Sequence, residues 1–257
     1  MCPHVQTRSD ERAAVDATDL ELAVQLAGAA GDELLRLRTV GSASLGADGD
    51  RAAQELLSAG LRAARPADAV LSEEAADDPA RLRADRVWII DPLDGTREYG
   101  EGREDWAVHV ALWDRAADDL IAGAVALPAQ GVVLASDGTP ARPRPEGRPR
   151  VVVSRTRPPA IAVAVAEALG AELVPMGSAG AKVSAVVLGT VDVYVHSGGQ
   201  YQWDSAAPVA VARAAGLHTS RIDGSALEYN RVELELPDLV VARPEYADAV
   251  LAAINGR

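Results

Sequence analysis

The run Val87-Trp88-Ile89-Ile90-Asp91-Pro92-Leu93-Asp94-Gly95-Thr96 sets two carboxylates, a glycine turn and a hydroxyl directly behind an apolar stretch. Two uncompensated acids this close repel each other. Divalent cations, which take oxygen ligands, relieve that repulsion. Three more acidic positions, Asp50, Glu73 (followed by Glu74) and Asp204, fall where other elements start or stop, so all can converge on one rim. No His/Cys cluster competes for zinc or iron, so the chemistry expected is that of hard cations and phosphate rather than redox. Taken singly, Asp50 and Asp204 also read as helix caps and Glu73-Glu74 as a solvated edge.

The elements that position these residues follow from periodicity. Val87 to Ile90 reads as a central strand buried on both faces, and Pro92, which cannot donate to a ladder, is expected to stop it near Asp91. Thr18 to Arg38 forms an amphipathic helix with Leu20, Val24, Ala27, Leu34 and Leu37 on its stripe. Gly41 to Gly49 reads as a loop, with Asp50 capping a second helix through about Arg65. Val70-Leu71 is a short strand ending at Ser72-Glu73-Glu74. From Trp106 the chain alternates, with Trp106, Val108, Val110 and Leu112 on one face and Ala107, His109, Ala111 and Trp113 on the other. His109 in that pattern reads as a packed or surface histidine rather than a ligand. Strands Leu120–Leu127 and Val132–Ala135 follow.

The second half restarts with strand Val151–Val153, helix Ala160–Leu169, strand Glu172–Val174, helix Lys182–Leu188, strand Val191–Val195 and helix Trp203–Ala215. It ends with strand Leu239–Val241 and helix Glu245–Ile254. The division expected is an N-terminal α+β half (1–138) carrying most metal ligands, a Pro/Arg/Gly linker (139–150) and a C-terminal α/β half (151–257) carrying Asp204 and the substrate rim.

Composition narrows the partners. The 257 residues carry a formal net charge of -13, which argues against nucleic acid, and no apolar run approaches the ~20 residues of a membrane span. Met1 to Arg12 lacks the apolar core of a signal peptide. Cys2 is the single cysteine, so no disulfide forms within the chain and a cytoplasmic setting is expected. Lys182 is the single lysine among many arginines, which singles out a position where a compact ammonium is wanted.

Asp50 in Asp-Arg-Ala-Ala, Glu73-Glu74, Asp91-Pro-Leu-Asp-Gly-Thr96 and Trp203-Asp204-Ser-Ala-Ala207 together resemble the inositol monophosphatase-like superfamily of metal-dependent, lithium-sensitive phosphatases. In the second half, Val152-Val153-Ser154-Arg155, Gly177-Ser178-Ala179-Gly180-Ala181-Lys182, His196 to Trp203 and Asp223 to Asn230 look most like the CysQ-type 3'-phosphoadenosine-5'-phosphate phosphatases. Gly216 followed by Leu217 departs from the Gly-Gly of many members. The resemblance implies a layered αβαβα sandwich of the α+β class, the inositol monophosphatase / fructose-1,6-bisphosphatase type. It implies Mg2+ (two ions, with a third, weaker one), one held by Glu73, Asp91 and the Leu93 carbonyl, the other by Asp91, Asp94 and Asp204. Thr96 and Asp50 would activate water, with Glu73 in the catalytic set. Gly95, Thr96, Ser154, Arg155 and Lys182 would contact substrate. It also implies Li+ inhibition and a homodimer. His196, Tyr201 and Trp203 bracket a Gly-rich loop and read equally as a nucleobase wall or as loop packing.

The substrate expected is a small phosphorylated metabolite, 3'-phosphoadenosine-5'-phosphate first, with inositol-1-phosphate and fructose-1,6-bisphosphate as alternatives. A non-catalytic phosphometabolite-binding protein is the alternative of another class. Haloacid-dehalogenase phosphatases place their acids two apart in Asp-x-Asp-Gly-Thr. Here Asp91 and Asp94 are three apart around Pro92, so Asp91 is not expected to act as a covalent nucleophile.

Overall fold

The computed structural model describes residues 18–256; Cys2, His4 and the Met1–Arg12 segment lie outside the described residues. Helix α1 (Asp19–Val40) opens on Thr18, whose hydroxyl accepts from the Glu21 amide while the Glu21 carboxylate accepts from the Thr18 amide. Its buried face is Leu22, Ala23, Leu26, Ala27, Ala30 and Leu34. Leu20, Val24 and Leu37, expected on that stripe, lie at its half-buried edges.

Helix α2 (Leu45–Ala64) starts earlier than expected, inside the Gly41–Gly49 segment, so Asp50 sits within the helix and not at its cap. Tertiary contact overrides glycine's poor helix propensity here. A Cβ on Gly46 would lie 2.8 Å from Thr96 Cγ2, and one on Gly49 would lie 3.0 Å from Leu34 and Tyr99 side chains. The glycines let this end of α2 approach the residues around Thr96.

The first sheet runs β1-β2-β3-β4-β5, with β1 (Ala69–Ser72), β2 (Arg86–Asp94), β3 (Ala107–Asp114), β4 (Asp119–Leu127) and β5 (Val132–Ala135). β1 and β2 are parallel and the other pairs antiparallel. Helix α3 (Thr96–Gly100) leaves β2 directly. The second sheet comprises β6 (Arg150–Ser154), β7 (Glu172–Met176), β8 (Val193–Ser197), β9 (His218–Ser220) and β10 (Asp238–Ala242), in the order β7-β6-β8-β10-β9. Its helices are α4 (Ala160–Ala168), α5 (Ala179–Val187), α6 (Gln202–Ala214) and α7 (Pro244–Asn255).

The cores define the layers. Leu22, Leu26 and Leu34 of α1 and Leu57 and Leu61 of α2 pack on Trp88, Ile90, Val108 and Val110. The opposite face of that sheet (Ile89, Ala107, Ala111, Trp113) packs on Val183 and Val186 of α5 and Ala206 and Val209 of α6, which in turn cover Val152, Tyr194 and Val241. The outer face of the second sheet meets Val165 of α4 and Val250 and Ile254 of α7. This is an α+β sandwich in the αβαβα order, and the period-two phase of β3 is the one its sequence indicates. None of the described helices is long and apolar enough to cross a membrane.

Candidate active site

Strand β2 was expected to end near Asp91, but it continues through Pro92 to Asp94. The pairing with β3 shifts register between Asp91, opposite His109, and Asp94, opposite Ala107. Pro92 sits in that irregularity, where its missing N–H costs no ladder bond. The bulge turns Asp91 and Asp94 towards the start of α6, which carries Asp204. Ligand atoms of Asp91, Asp94 and Asp204 all lie within 4.8 Å of one another.

Each acid is held differently. Asp91 is fully buried; its Oδ1 accepts from the Leu93 amide at 3.1 Å, and its Oδ2 has no hydrogen-bond partner. Burial and the charges of Glu73, Asp94 and Asp204 raise its pKa well above its ordinary value. Asp204 is the third residue of α6 and its carboxylate accepts from the amide of the N-cap residue Tyr201 at 2.6 Å, so it helps cap the helix from within the first turn. Burial and then Asp94 push it up to about 7, against that amide bond.

Asp94 is the opposite case. Burial would raise it, but the adjacent His109, the Ser178 hydroxyl and the Gly180 amide hold it at about 2. Oδ2 accepts from Ser178 Oγ and the Gly180 amide, both at 2.6 Å, and Oδ1 from the Ala179 amide at 3.1 Å. Asp94 thus ties the bulge of the first sheet to the start of α5. Glu73 keeps an exposed face at the mouth of this group. Crowding by surrounding atoms nevertheless raises its pKa, aided by Asp94, Glu74 and Asp50 and opposed by contact with Asp91.

His109 is completely buried beside these acids. Its Nδ1 lies 3.0 Å from the Trp203 carbonyl oxygen, and its Nε2 lies 3.3 Å from Asp94 Oδ2 without meeting hydrogen-bond geometry. Burial pushes its pKa down, but Asp94 and the Trp203 carbonyl outweigh that and raise it.

Thr96 completes the centre. Its hydroxyl lies 3.1 Å from both Asp50 Oδ1 and the Leu93 carbonyl oxygen. Gly95 precedes it with φ 91°, a left-handed conformation that glycine adopts without strain. Burial and the nearby Glu74 push Asp50 up to about 6, against the Thr96 bond. The acid donors are all oxygen, one buried carboxylate oxygen is unpartnered, and three acids converge with His109 and Lys182 as the nearby groups that can offset their charge. These residues fit hard divalent cations.

The expected substrate contacts divide. Arg155 does not reach the acids by any described bond; its Nη2 pairs with Glu98 Oε1 (2.9 Å) and Glu101 Oε2 (2.8 Å), clasping α3. Ser154 Oγ accepts from the Arg157 amide at 3.3 Å. Lys182 is buried on α5, its Nζ donating to the Ser178 carbonyl at 2.6 Å and lying 5.3 Å from the Tyr194 ring centre. Burial lowers its pKa, against attraction from Asp94, Glu98, Asp204 and Asp105. Tyr201 stacks on Trp203 with centroids 4.9 Å apart and an angle of 10°. His196 turns instead to the Gly198 carbonyl at 2.6 Å.

Ser178, Gly180 and His109 act at this site and were not singled out as site residues by sequence reasoning. Ser178 had a partial signal, a serine shortly before a helix, but the helix was expected from Lys182 and begins at Ala179, directly after it. His109 had a weaker one: it shares the strand face that looks away from α1 and α2.

Residues 17–256 match the model of the Inositol monophosphatase family. The chain is 52% identical over 256 residues (93% of this chain, 94% of the relative) to the 3'-phosphoadenosine 5'-phosphate phosphatase of Mycobacterium leprae. It is 54% identical over 219 residues (82% of each) to the protein of the same name from Mycobacterium tuberculosis. The crystal structure of CysQ from Bacteroides thetaiotaomicron, a bacterial member of the inositol monophosphatase family, matches with a TM-score of 0.75 at 25% identity, over 93% of this chain and 98% of that one.

Proposed function

The chain belongs to the inositol monophosphatase family and is a phosphatase, and from that premise we propose that it hydrolyses 3'-phosphoadenosine 5'-phosphate to AMP and phosphate in a Mg2+-dependent reaction. The observation that carries the chemistry is the Thr96–Asp50 hydrogen bond set beside the Asp91, Asp94 and Asp204 group. Glu73, Asp91, the Leu93 carbonyl, Asp94 and Asp204 would hold the cations. Bound there, they neutralise carboxylate charge and polarise the phosphoryl group.

The chain's own residues do the rest. Thr96 Oγ1 orients the attacking water and Asp50 takes its proton. The water oxygen forms the new bond to phosphorus as the bond to the ribose 3'-oxygen breaks, and that oxygen takes up a proton from solvent as it leaves. Asp91 forms no covalent intermediate; its buried position between other acids suits a shared ligand rather than a nucleophile. Gly95 and Lys182 would line the phosphate side, and the outer face of Tyr201, stacked on Trp203, would take the adenine. Arg155 enters the reading as a clasp on α3, with Ser154 beside it on the rim.

The identity to the two mycobacterial relatives supports the adenylate substrate over inositol-1-phosphate and fructose-1,6-bisphosphate. The three phosphates compared at equal Mg2+ test this directly. The highest kcat/KM is expected for 3'-phosphoadenosine 5'-phosphate, and a higher value for inositol-1-phosphate would overturn the assignment. Inhibition by Li+ at fixed Mg2+, a cytoplasmic setting and a homodimeric state belong to the same reading.

A further inference from the structure

His109 stands apart from the expected site residues because no family motif quoted above contains it, yet it touches both elements that carry the acids. Asp94 comes from β2 and Asp204 from α6. Between them His109 sets Nε2 3.3 Å from Asp94 Oδ2, a charge contact outside hydrogen-bond geometry, and Nδ1 3.0 Å from the carbonyl oxygen of Trp203, the residue before Asp204. It is fully buried, so no water competes for either nitrogen. Its ring also fixes the space opposite: a Cβ on Gly180 would overlap Nε2, so glycine is required where the first turn of α5 bonds Asp94.

The two oxygens of Asp94 are treated unequally. Oδ2 meets Ser178 Oγ, the Gly180 amide and His109 Nε2, whereas Oδ1 meets only the Ala179 amide. Oδ1, with the Ala179 amide as its one donor among the described residues, keeps more of its accepting capacity for a ligand than Oδ2 does. We propose that His109 is a positioning residue: it pins Asp94 through Oδ2, aims Oδ1 at the cation, and sets the distance from Asp94 to the Trp203-Asp204 turn. Such support behind a ligand contributes about 10–100-fold in metal affinity where it has been removed.

This inference rests on the proposed cation site, and cation binding without substrate tests the two separately. Mn2+ binding is followed by electron paramagnetic resonance on the full chain. Near-ultraviolet circular dichroism confirms that each variant is folded. The His109→Asn variant keeps a donor near the Nδ1 position only, and His109→Gln one near the Nε2 position only. His109→Ala keeps neither.

The expected result is Mn2+ binding by the parent chain, about tenfold or weaker binding by the Asn and Ala variants, and recovery towards the parent value with Gln. Gly180→Ala, which displaces the ring without altering its chemistry, is expected to weaken binding as Ala at 109 does. A ring that only fills space predicts no split between Gln and Asn. Equal affinities for those two variants, or affinities within twofold of the parent for all, overturn the inference and leave the proposed function standing. No Mn2+ binding by the parent chain would remove the cation site itself.

Discussion

At the scale of single residues, neighbouring carboxyls of the cation-free site differ in how readily they ionise. Asp94, surrounded by donors, is fixed as an anion, whereas Asp50, with one hydroxyl contact and Glu74 nearby, is pushed up to about 6. A base must be unprotonated to accept a proton, so activity should rise with pH through a value at or below the about 6 of the cation-free chain, because cations bound beside Asp50 favour its anion. In the Asp50→Asn variant kcat should fall about 10²–10⁴-fold with the fold intact. Its remaining activity should lack that rising limb. A pH series of kcat/KM at saturating Mg2+ checks both, and a limb preserved in the variant would assign it to another group. Tyr201 offers a separable readout. A ring stacked on Trp203 presents its outer face without losing rotamer freedom on binding. Tyr201→Ala should therefore raise KM for 3'-phosphoadenosine 5'-phosphate about tenfold, the equivalent of ~1.4 kcal/mol of stacking, with kcat nearly unchanged. Equal rises in KM for the adenylate and for inositol-1-phosphate would show that no base rests there.

At the scale of elements, the start of α5 is where the second half of the chain is bolted to the first. Ser178 holds φ 51°, caps the helix by accepting from the Ala181 amide at 2.9 Å, and donates to Asp94. Ser178→Ala removes the cap and one buried donor while keeping the left-handed backbone, and should lower unfolding free energy by about 1–2 kcal/mol in urea titrations. Ser178→Gly relieves the backbone but loses the same bonds, so it should cost less; a larger loss with Gly would refute this account of the cap. Most elements were legible because their faces are consistently apolar. The β3 alternation was read in its true phase, and β5 was placed residue for residue at Val132–Ala135. What was not legible came from contacts made after folding. Gly46 and Gly49 look like loop residues until Thr96 and Tyr99 arrive against them, and Pro92 looks like a strand end until a bulge absorbs it. The ion pairs of Arg155 were not legible because its partners, Glu98 and Glu101, lie far back in the chain. The acids themselves were legible by type and spacing, whereas the histidine supporting them depended on a face of the sheet that only tertiary packing assigns.

At the scale of the whole molecule, the acidic group spans the layer boundary: Asp91 and Asp94 come from the first sheet and Asp204 from a helix sandwiched between the two. Its cost and its relief should both appear in global stability. Asp204 and Asp50 are raised to about 7 and about 6 from 3.8, so the folded chain retains protons there that the unfolded chain has already released. The stability these two groups contribute is complete below about pH 3.8 and is lost as pH rises through about 7, because over that window the native state binds more protons than the unfolded state. A cation that binds the unprotonated acids only in the folded chain should reverse this loss. At a hundredfold excess over its dissociation constant it adds about 2.7 kcal/mol. For a chain of this size that corresponds to a rise in Tm of roughly 5–10 °C. Calorimetry with chelator and with Mg2+ should therefore show a cation-induced rise that is large near about pH 8 and small near about pH 5. Asp204→Asn removes one of the repelling charges and one ligand together. In chelator it should melt above the parent near about pH 8 and close to it near about pH 4, where Asp204 is protonated and resembles the amide. It should also lose most of the Mg2+ response. A variant that melted lower than the parent in chelator at the higher pH would mean that Asp204 serves the fold, and the picture of a charge cluster kept for cations would fail at the point where the two halves of the chain meet.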